Sequence, residues 1–241
     1  MIVALLTAAG TGARMHQDIP KQFIHVDNKP IILYTMEAFQ KHPSIDAIIV
    51  VTLESWTNVL WAYAKQFNIT KLKWVVPGGA TGQESIRNGL NALKKELPHE
   101  DVVVMVHDGN RPLVSAEIIS DSLVTFAKHG NAVAVIPCTE VVFESEDGLS
   151  SFVSTEREKL FRTQTPHTYY LEELLAAHDE AKQKGIYGTA ASCMLMKELG
   201  KMTYFSKGSE QNIKITTTDD LLIFKALLHT RKEDWFKDLN Q

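Results

Sequence analysis

The chain has 241 residues, 44% of them hydrophobic, which suits one large α/β domain or a domain with an appendage. A formal net charge of −4 and a pI near 6.1 exclude a global basic field for nucleic acid or an anionic membrane, so any bound anion must be held locally. The two cysteines, Cys138 and Cys193, form no CxxC pair, which argues against a zinc site or disulfide framework and fits a reducing compartment.

The first predicted strand, Ile2 to Leu6, is too short for a signal-peptide core or a membrane span, so the cytoplasm is the expected location. It runs into Ala8-Ala9-Gly10-Thr11-Gly12, and then Arg14 and Lys21 follow. Small residues let backbone N–H groups approach a ligand and form a concavity for anions. The helix-compatible stretch after Gly12 offers an N-terminal dipole, and the two cations add fixed positive charge. These residues read as a polyphosphate cradle, with a tight turn followed by two solvated cations as the bland alternative. Met15 stands where a dinucleotide fingerprint needs its third glycine, and no GK[ST] follows.

Further along, helices are predicted over Pro30 to Gln40, Trp56 to Phe67, Gln83 to Leu97 and Ser115 to His129. Strands are predicted over Ala47 to Thr52, Trp74 to Val76, Val102 to Val106 and Ala132 to Ile136. Ser115 has the pattern of an N-cap and Gly130 of a helix stop. The strands are rich in Val and Ile and mostly lack polar alternation, as strands covered on both faces do. The alternation implies a doubly wound, mostly parallel α/β sheet, with ligands at the carboxyl ends of its strands.

Two of those ends carry candidate residues. In VVPGGATGQESIRNGL, Gly78 and Gly79 end a strand and Ser85 opens a helix. The glycines suit close passage of a base or sugar, with Ser85 as a partner to it or as an ordinary N-cap. In VVVMVHDGNRPLV, a hydrophobic strand delivers His107, Asp108 and Arg111. Asp108 is placed to hold a divalent metal, which a triphosphate normally brings. Arg111 suits either a phosphate or a pair with Asp108, and His107 reads as a packed, hydrogen-bonding residue.

The segment CTEVVFESEDGLSSFVSTER, Cys138 to Arg157, breaks the rhythm with two strand-like runs flanking Glu146-Asp147-Gly148. Such a hairpin either folds back on its own domain or reaches a partner. Next come a short strand-to-loop piece from Phe161 to Thr168, then helices over Tyr170 to Lys184 and Ala190 to Leu199. A strand over Met202 to Phe205 follows, and Thr218 before Asp219-Asp220 is predicted to cap a final helix.

Taken in order, TAAGTGARM…PKQF, GG…SIRNGL, VHDGNRP, RTQTPH and NIKIT resemble the cytidylyltransferase family that activates polyol phosphates with CTP. Its members act on 2-C-methyl-D-erythritol 4-phosphate or ribitol 5-phosphate, and the resemblance spans nearly the whole chain. It implies a Rossmann-like nucleotidyltransferase domain over residues 1–241, with a β-hairpin dimerisation arm inserted at about 138–157. It implies that Ala8, Ala9, Gly10, Thr11 and Gly12 wrap the CTP phosphates, and that Gly79 and Ser85 hold cytosine. Arg14, Lys21 and Lys214 correspond to catalytic cations of the family. Asp108 corresponds to its Mg²⁺ ligand, and Arg111 to the arginine of the same motif. Arg157 corresponds to a residue that reaches the acceptor phosphate from the partner's arm, which implies a homodimer with shared sites.

The chain also departs from the family pattern. Ala80 and Gly82 stand where an acid and an arginine are usual, and His167 replaces a glutamine. Gly188-Thr189-Ala190-Ala191-Ser192 lacks the acids of the corresponding segment, and Val141 stands near the place of an arm threonine. The departures gather around the polyol. The reading TAAG, with its second alanine, leans slightly toward methylerythritol phosphate, with ribitol phosphate as the alternative. A sugar-nucleotide pyrophosphorylase and a non-catalytic nucleotide-binding module are the readings from other classes.

Overall fold

A computed structural model describes residues 1–10, 19–99 and 101–230. Its centre is a seven-stranded sheet built from β1 (Ile2–Ala8), β2 (Ala47–Thr52), β3 (Leu72–Pro77), β4 (Val103–Asp108), β5 (Asn131–Pro137), β8 (Phe161–Tyr170) and β9 (Phe205–Lys207). The spatial order is β9-β5-β8-β4-β1-β2-β3. Only β8 runs against its neighbours, pairing antiparallel with both β4 and β5. The sheet is therefore mostly parallel, as the uninterrupted apolar runs imply.

Residue parity explains why those runs lack polar positions. Val3, Leu5, Ile49 and Val51 face one core with α3 (Gly82–Glu96), α5 (Leu171–Gln183) and α6 (Ser192–Glu198). Ala4, Leu6, Ile48 and Val50 face the other with α1 (Ile31–Lys41), α2 (Thr57–Gln66) and α4 (Ala116–His129). Both faces are covered, so both parities must be apolar. A smaller cluster of Val26, Ile31, Ile215 and Phe224 seats α7 (Thr218–His229). Among the described residues no helix is long and apolar enough to cross a membrane.

Three local expectations shift, and one turn is added. The Phe161 to Thr168 piece is part of a full ten-residue strand inside the sheet. Gln164, Thr165 and His167 hide it, because these polar side chains are buried yet satisfied, Gln164 by the Ser209 carbonyl, Thr165 by His107 of β4 and His167 by the Gln164 carbonyl. Thr217, not Thr218, caps α7, since only Thr217 stands three residues before Asp220 and completes a capping box. The last strand is Phe205–Lys207, displaced from Met202 to Phe205. A two-residue turn, Asp27-Asn28, carries both residues at positive φ and joins a short ladder, His25–Val26 with Lys29–Pro30. That turn chemistry was legible as Asp-Asn, both of which tolerate the left-handed region. The expected Ser115 cap and the Gly130 stop, at φ 83°, are both present.

The hairpin of Cys138 to Arg157 stands as β6 (Val142–Glu144) and β7 (Val153–Thr155). Asp147 ties its tip, accepting from the backbone N–H groups of Leu149 and Ser150 and from two serine hydroxyls.

One buried group makes stability depend on pH. His178 of α5 is buried, and neither ring nitrogen has a hydrogen-bond partner. Burial and then the Arg87 charge lower its pKa from 6.5 to about 4, against a smaller upward pull from Asp179. The unfolded chain therefore takes up this proton at higher pH than the native one. Stability present above pH 6.5 is lost as the pH falls toward 4, by about 2 kcal/mol between pH 7 and pH 5. Denaturant titrations at those two pH values should show a smaller loss for His178→Leu than for the wild type. Equal losses would refute this account of His178.

Candidate active site

The parallel strands deliver Ala8, Thr52, Pro77 and Asp108 to one rim, where a cleft of about 750 Å³ opens. That size suits a nucleotide and a small second substrate.

The first wall grows from β1. Ala8, Ala9 and Gly10 line the cleft, and Gln22 pins their loop by donating to the carbonyls of Ala8 and Gly10. Pro20 accepts from the Phe23 N–H, closing the turn Lys21–Phe23. That turn buries Gln22 and Phe23, the latter stacked on Trp56 at 4.2 Å, and leaves Lys21 lining the cleft. Thr11, Gly12 and Arg14 lie outside the described residues, as does the stretch after Gly12.

The second wall follows β3. A Cβ on Gly78 would stand 2.3 Å from the Ala9 Cβ, so only glycine lets the two loops meet. Thr81, not Ser85, caps α3 by accepting from the Glu84 N–H at 3.1 Å. The Ser85 hydroxyl accepts from the Gly79 N–H at 3.0 Å and donates to the Thr81 carbonyl at 2.9 Å. Its work within the chain is to hold the Gly79 turn at the cleft, and both residues line it.

Charge gathers at the end of β4. One Asp108 oxygen accepts from Arg111 Nε at 2.9 Å and the other from Lys214 Nζ at 2.9 Å. Burial pulls the Asp108 pKa upward, but the Lys214 and Arg111 charges outweigh it and hold the carboxyl well below the usual range. Arg111 also donates from Nη1 to the Asn212 carbonyl at 2.7 Å. Lys214 reaches this place because its loop is strapped down. Asn110 accepts from the Ile215 N–H through its main-chain carbonyl and donates its side-chain amide to the Ile215 carbonyl. Asn212 donates to the Thr165 carbonyl and to Gln164.

Behind Asp108 lies a neutral relay. The Asp108 N–H donates to Thr165 Oγ1 at 3.0 Å, which leaves the threonine proton for His107 Nδ1, also 3.0 Å away. His107 Nε2–H then faces the Arg111 carbonyl at 3.2 Å. Burial lowers His107 to about 3 and His167 to about 4, so both imidazoles are uncharged at neutral pH. His107 thus packs and hydrogen-bonds, as its sequence position implies. The described charges on the cleft are Lys21, Arg111 and Lys214 against Asp108, three positive and one negative, net +2. A chain of net charge −4 therefore presents a positive cleft.

Thr163, Thr165, Ala190, Ala191, Ser192 and Met194 form the remaining wall. Arg157 is not among the cleft residues of its own chain. It lies half-exposed on the arm, donating to Glu158 at 3.2 Å. Gln22, Asn110, Thr165 and Asn212 are not candidates in the sequence, although PKQF, VHDGNRP, RTQTPH and NIKIT mark all four of their segments. The only carboxylate among the described cleft residues is Asp108, and no described group of three or more His, Cys, Asp or Glu side chains is placed for a metal. A single strand-end carboxylate fits Mg²⁺ that arrives with phosphate oxygens and water, and does not fit a dedicated all-protein cage.

The family model described as IspD, 2-C-methyl-D-erythritol 4-phosphate cytidylyltransferase, matches residues 2–230. A ribitol-5-phosphate cytidylyltransferase of Lacticaseibacillus paracasei is 42% identical over 234 residues, covering 96% of this chain and all of that one. A 2-C-methyl-D-erythritol 4-phosphate cytidylyltransferase of Clostridium acetobutylicum is 39% identical, covering 95% and 97%. The 2-C-methyl-D-erythritol 4-phosphate cytidylyltransferase structure from Francisella tularensis superposes with a TM-score of 0.75 at 28% identity, covering 92% and 97%. A 4-diphosphocytidyl-2C-methyl-D-erythritol synthase structure from Anaerococcus prevotii reaches 0.81 at 23% identity, covering 95% and 96%.

Proposed function

The chain belongs to the 2-C-methyl-D-erythritol 4-phosphate cytidylyltransferase family, and we propose that its acceptor within that family is ribitol 5-phosphate. The protein is a CTP-dependent nucleotidyltransferase that moves CMP onto a polyol phosphate and releases pyrophosphate. The choice of acceptor is carried by whole-chain similarity, since relatives at 37–42% identity bear the ribitol-phosphate name. The methylerythritol-phosphate relatives stand at 36–39%. That outweighs the single alanine of TAAG, which leans the other way.

An acceptor phosphate oxygen attacks the α-phosphorus of CTP in line. The new P–O bond forms as the bond to the β-phosphate bridging oxygen breaks, and pyrophosphate carries away the electron pair. The attacking oxygen is already anionic, so no proton need move. The chain's task is to bring two anions together and stabilise charge on the five-coordinate phosphorus. Lys21, Lys214 and Arg14 are assigned that charge, with Ala8 to Gly12 around the phosphates and Gly79 with Ser85 beside cytosine. Asp108 would hold Mg²⁺, which when bound neutralises phosphate oxygens. Arg111 keeps the Asp108 carboxylate oriented and is available to the acceptor phosphate.

The arm is assigned to a second copy of the chain. Phe143, Leu149 and Phe152 are 61%, 91% and 98% exposed on a two-stranded hairpin, a form that is marginal alone in water. A two-fold dimer would cover them and bring Arg157 to the partner's cleft.

Pyrophosphate release, measured for each nucleoside triphosphate with ribitol 5-phosphate and with 2-C-methyl-D-erythritol 4-phosphate, tests the acceptor. CTP with ribitol 5-phosphate should give a kcat/KM at least about tenfold above CTP with the other acceptor. The reverse preference would overturn the ribitol assignment. CTP with Mg²⁺ should also raise the melting temperature more than ATP, GTP or UTP does.

A further inference from the structure

Between α5 and α6 the chain crosses residues 184–191 without regular structure, and Ala190 and Ala191 of this loop line the cleft. Gly185 and Gly188 both sit at φ 70°, so the loop's path depends on two backbone conformations that other residues rarely adopt. Ile186 and Ala191 pack against the main core, but the stretch between them has less cover. Tyr187 is 70% exposed, and a second cavity of about 360 Å³ is lined by the loop together with Met194 and Glu198 of α6.

Among the described residues, Gln83 makes the hydrogen bonds that reach this loop from α3. It stands in the first turn of α3, two residues before Ser85 and next to Gly82, where the resembled pattern has an arginine. Its Oε1 accepts from the Thr189 N–H at 2.9 Å and from the Thr189 hydroxyl at 3.1 Å. Its Nε2 donates to the Ile186 carbonyl at 3.1 Å. A carboxamide presents a donor and an acceptor at one end, and here both are used on the same loop.

We propose that Gln83 is a positioning residue that sets the acceptor wall of the cleft, acting through the backbone of Ile186 and Thr189. The inference rests on the assignment of this wall to the polyol phosphate. α3 is already braced without Gln83, by the Thr81 cap and by Ser85. Loss of Gln83 therefore leaves the nucleotide turn intact and frees the loop. The coupling between the two substrate loops is then made by the hydrogen bonds of Gln83.

Gln83→Ala separates these roles when kinetics are measured for both substrates. The KM for ribitol 5-phosphate should rise about tenfold or more, the effect of losing one or two hydrogen bonds, while the KM for CTP and the melting temperature barely move. Gln83→Glu keeps an acceptor for Thr189, loses the donor to Ile186, and should fall between wild type and alanine. An unchanged acceptor KM, or equal rises in both KM values with a lower melting temperature, would overturn the proposal. Hydrogen exchange at the Thr189 amide gives a readout that needs no acceptor. It should quicken in Gln83→Ala, and unchanged exchange would overturn the tether. A wild-type enzyme that ignores ribitol 5-phosphate but whose Gln83→Ala variant shows fast Thr189 exchange would point to a wrong acceptor and a sound tether.

Discussion

Lys214→Ala should lower kcat by about 10²–10³-fold while leaving the melting temperature within a few degrees of wild type, and Lys21→Ala should do the same. The size follows from removing one preorganised donor aimed at developing charge, roughly 3–4 kcal/mol of barrier. The small structural cost follows from exposure. The Lys214 side chain is 40% exposed, and Asp108 keeps Arg111 as a partner when the lysine is gone. Arg111→Ala is the contrasting case. Its side chain is only 11% exposed and holds both Asp108 and the Asn212 carbonyl, so its removal should cost stability as well as rate. Thermal melts beside steady-state kinetics on the three variants check this. Lys214→Ala turning over within about fivefold of wild type would remove its catalytic role.

These variants also mark how far the site was legible beforehand. Lys214, Asp108 and Arg111 carry charge in short ordered motifs, and the fold does bring them within hydrogen-bond distance. The residues that place them bond mainly to backbone. Gln22 binds the carbonyls of Ala8 and Gly10, Asn110 that of Ile215, and Asn212 that of Thr165. A backbone partner leaves no complementary side chain in the sequence to betray it. The same reason separates the strands. β1, β2, β4 and β5 announce themselves because burial on both faces makes them continuously apolar. β8 does not, because its middle is Thr163 to His167, where the polar groups of Gln164 and Thr165 are satisfied by partners far away in the chain. Ser85 is a different case. A helix-opening serine suggests either a cap or a ligand contact; Thr81 is the cap, and the Ser85 hydroxyl holds the Gly79 turn at the cleft.

Mixing two inactive variants should restore activity if the proposed shared site is real. Arg157→Ala protein keeps Lys21 in its cleft but has a defective arm, and Lys21→Ala protein keeps the arm but has a defective cleft. Arg157 does not line the cleft of its own chain, so under the shared-site proposal its effect on turnover comes through a neighbour. The arm's apolar face argues for such a neighbour. Phe143 and Phe152 are exposed, and at the arm's base Phe161 and Phe205 meet at 5.2 Å while themselves half-exposed, which extends the uncovered surface. In a closed two-fold dimer each heterodimer carries one complete site and one site lacking both residues. After random subunit exchange half of the dimers are mixed, so activity should return to about a quarter of wild type from parents that are each nearly inactive. Exchange itself is followed independently, by mass labelling of one parent. Exchange without recovery would mean that Arg157 serves its own chain, or none, and that the arm's apolar face meets a partner for reasons unconnected with the chemistry.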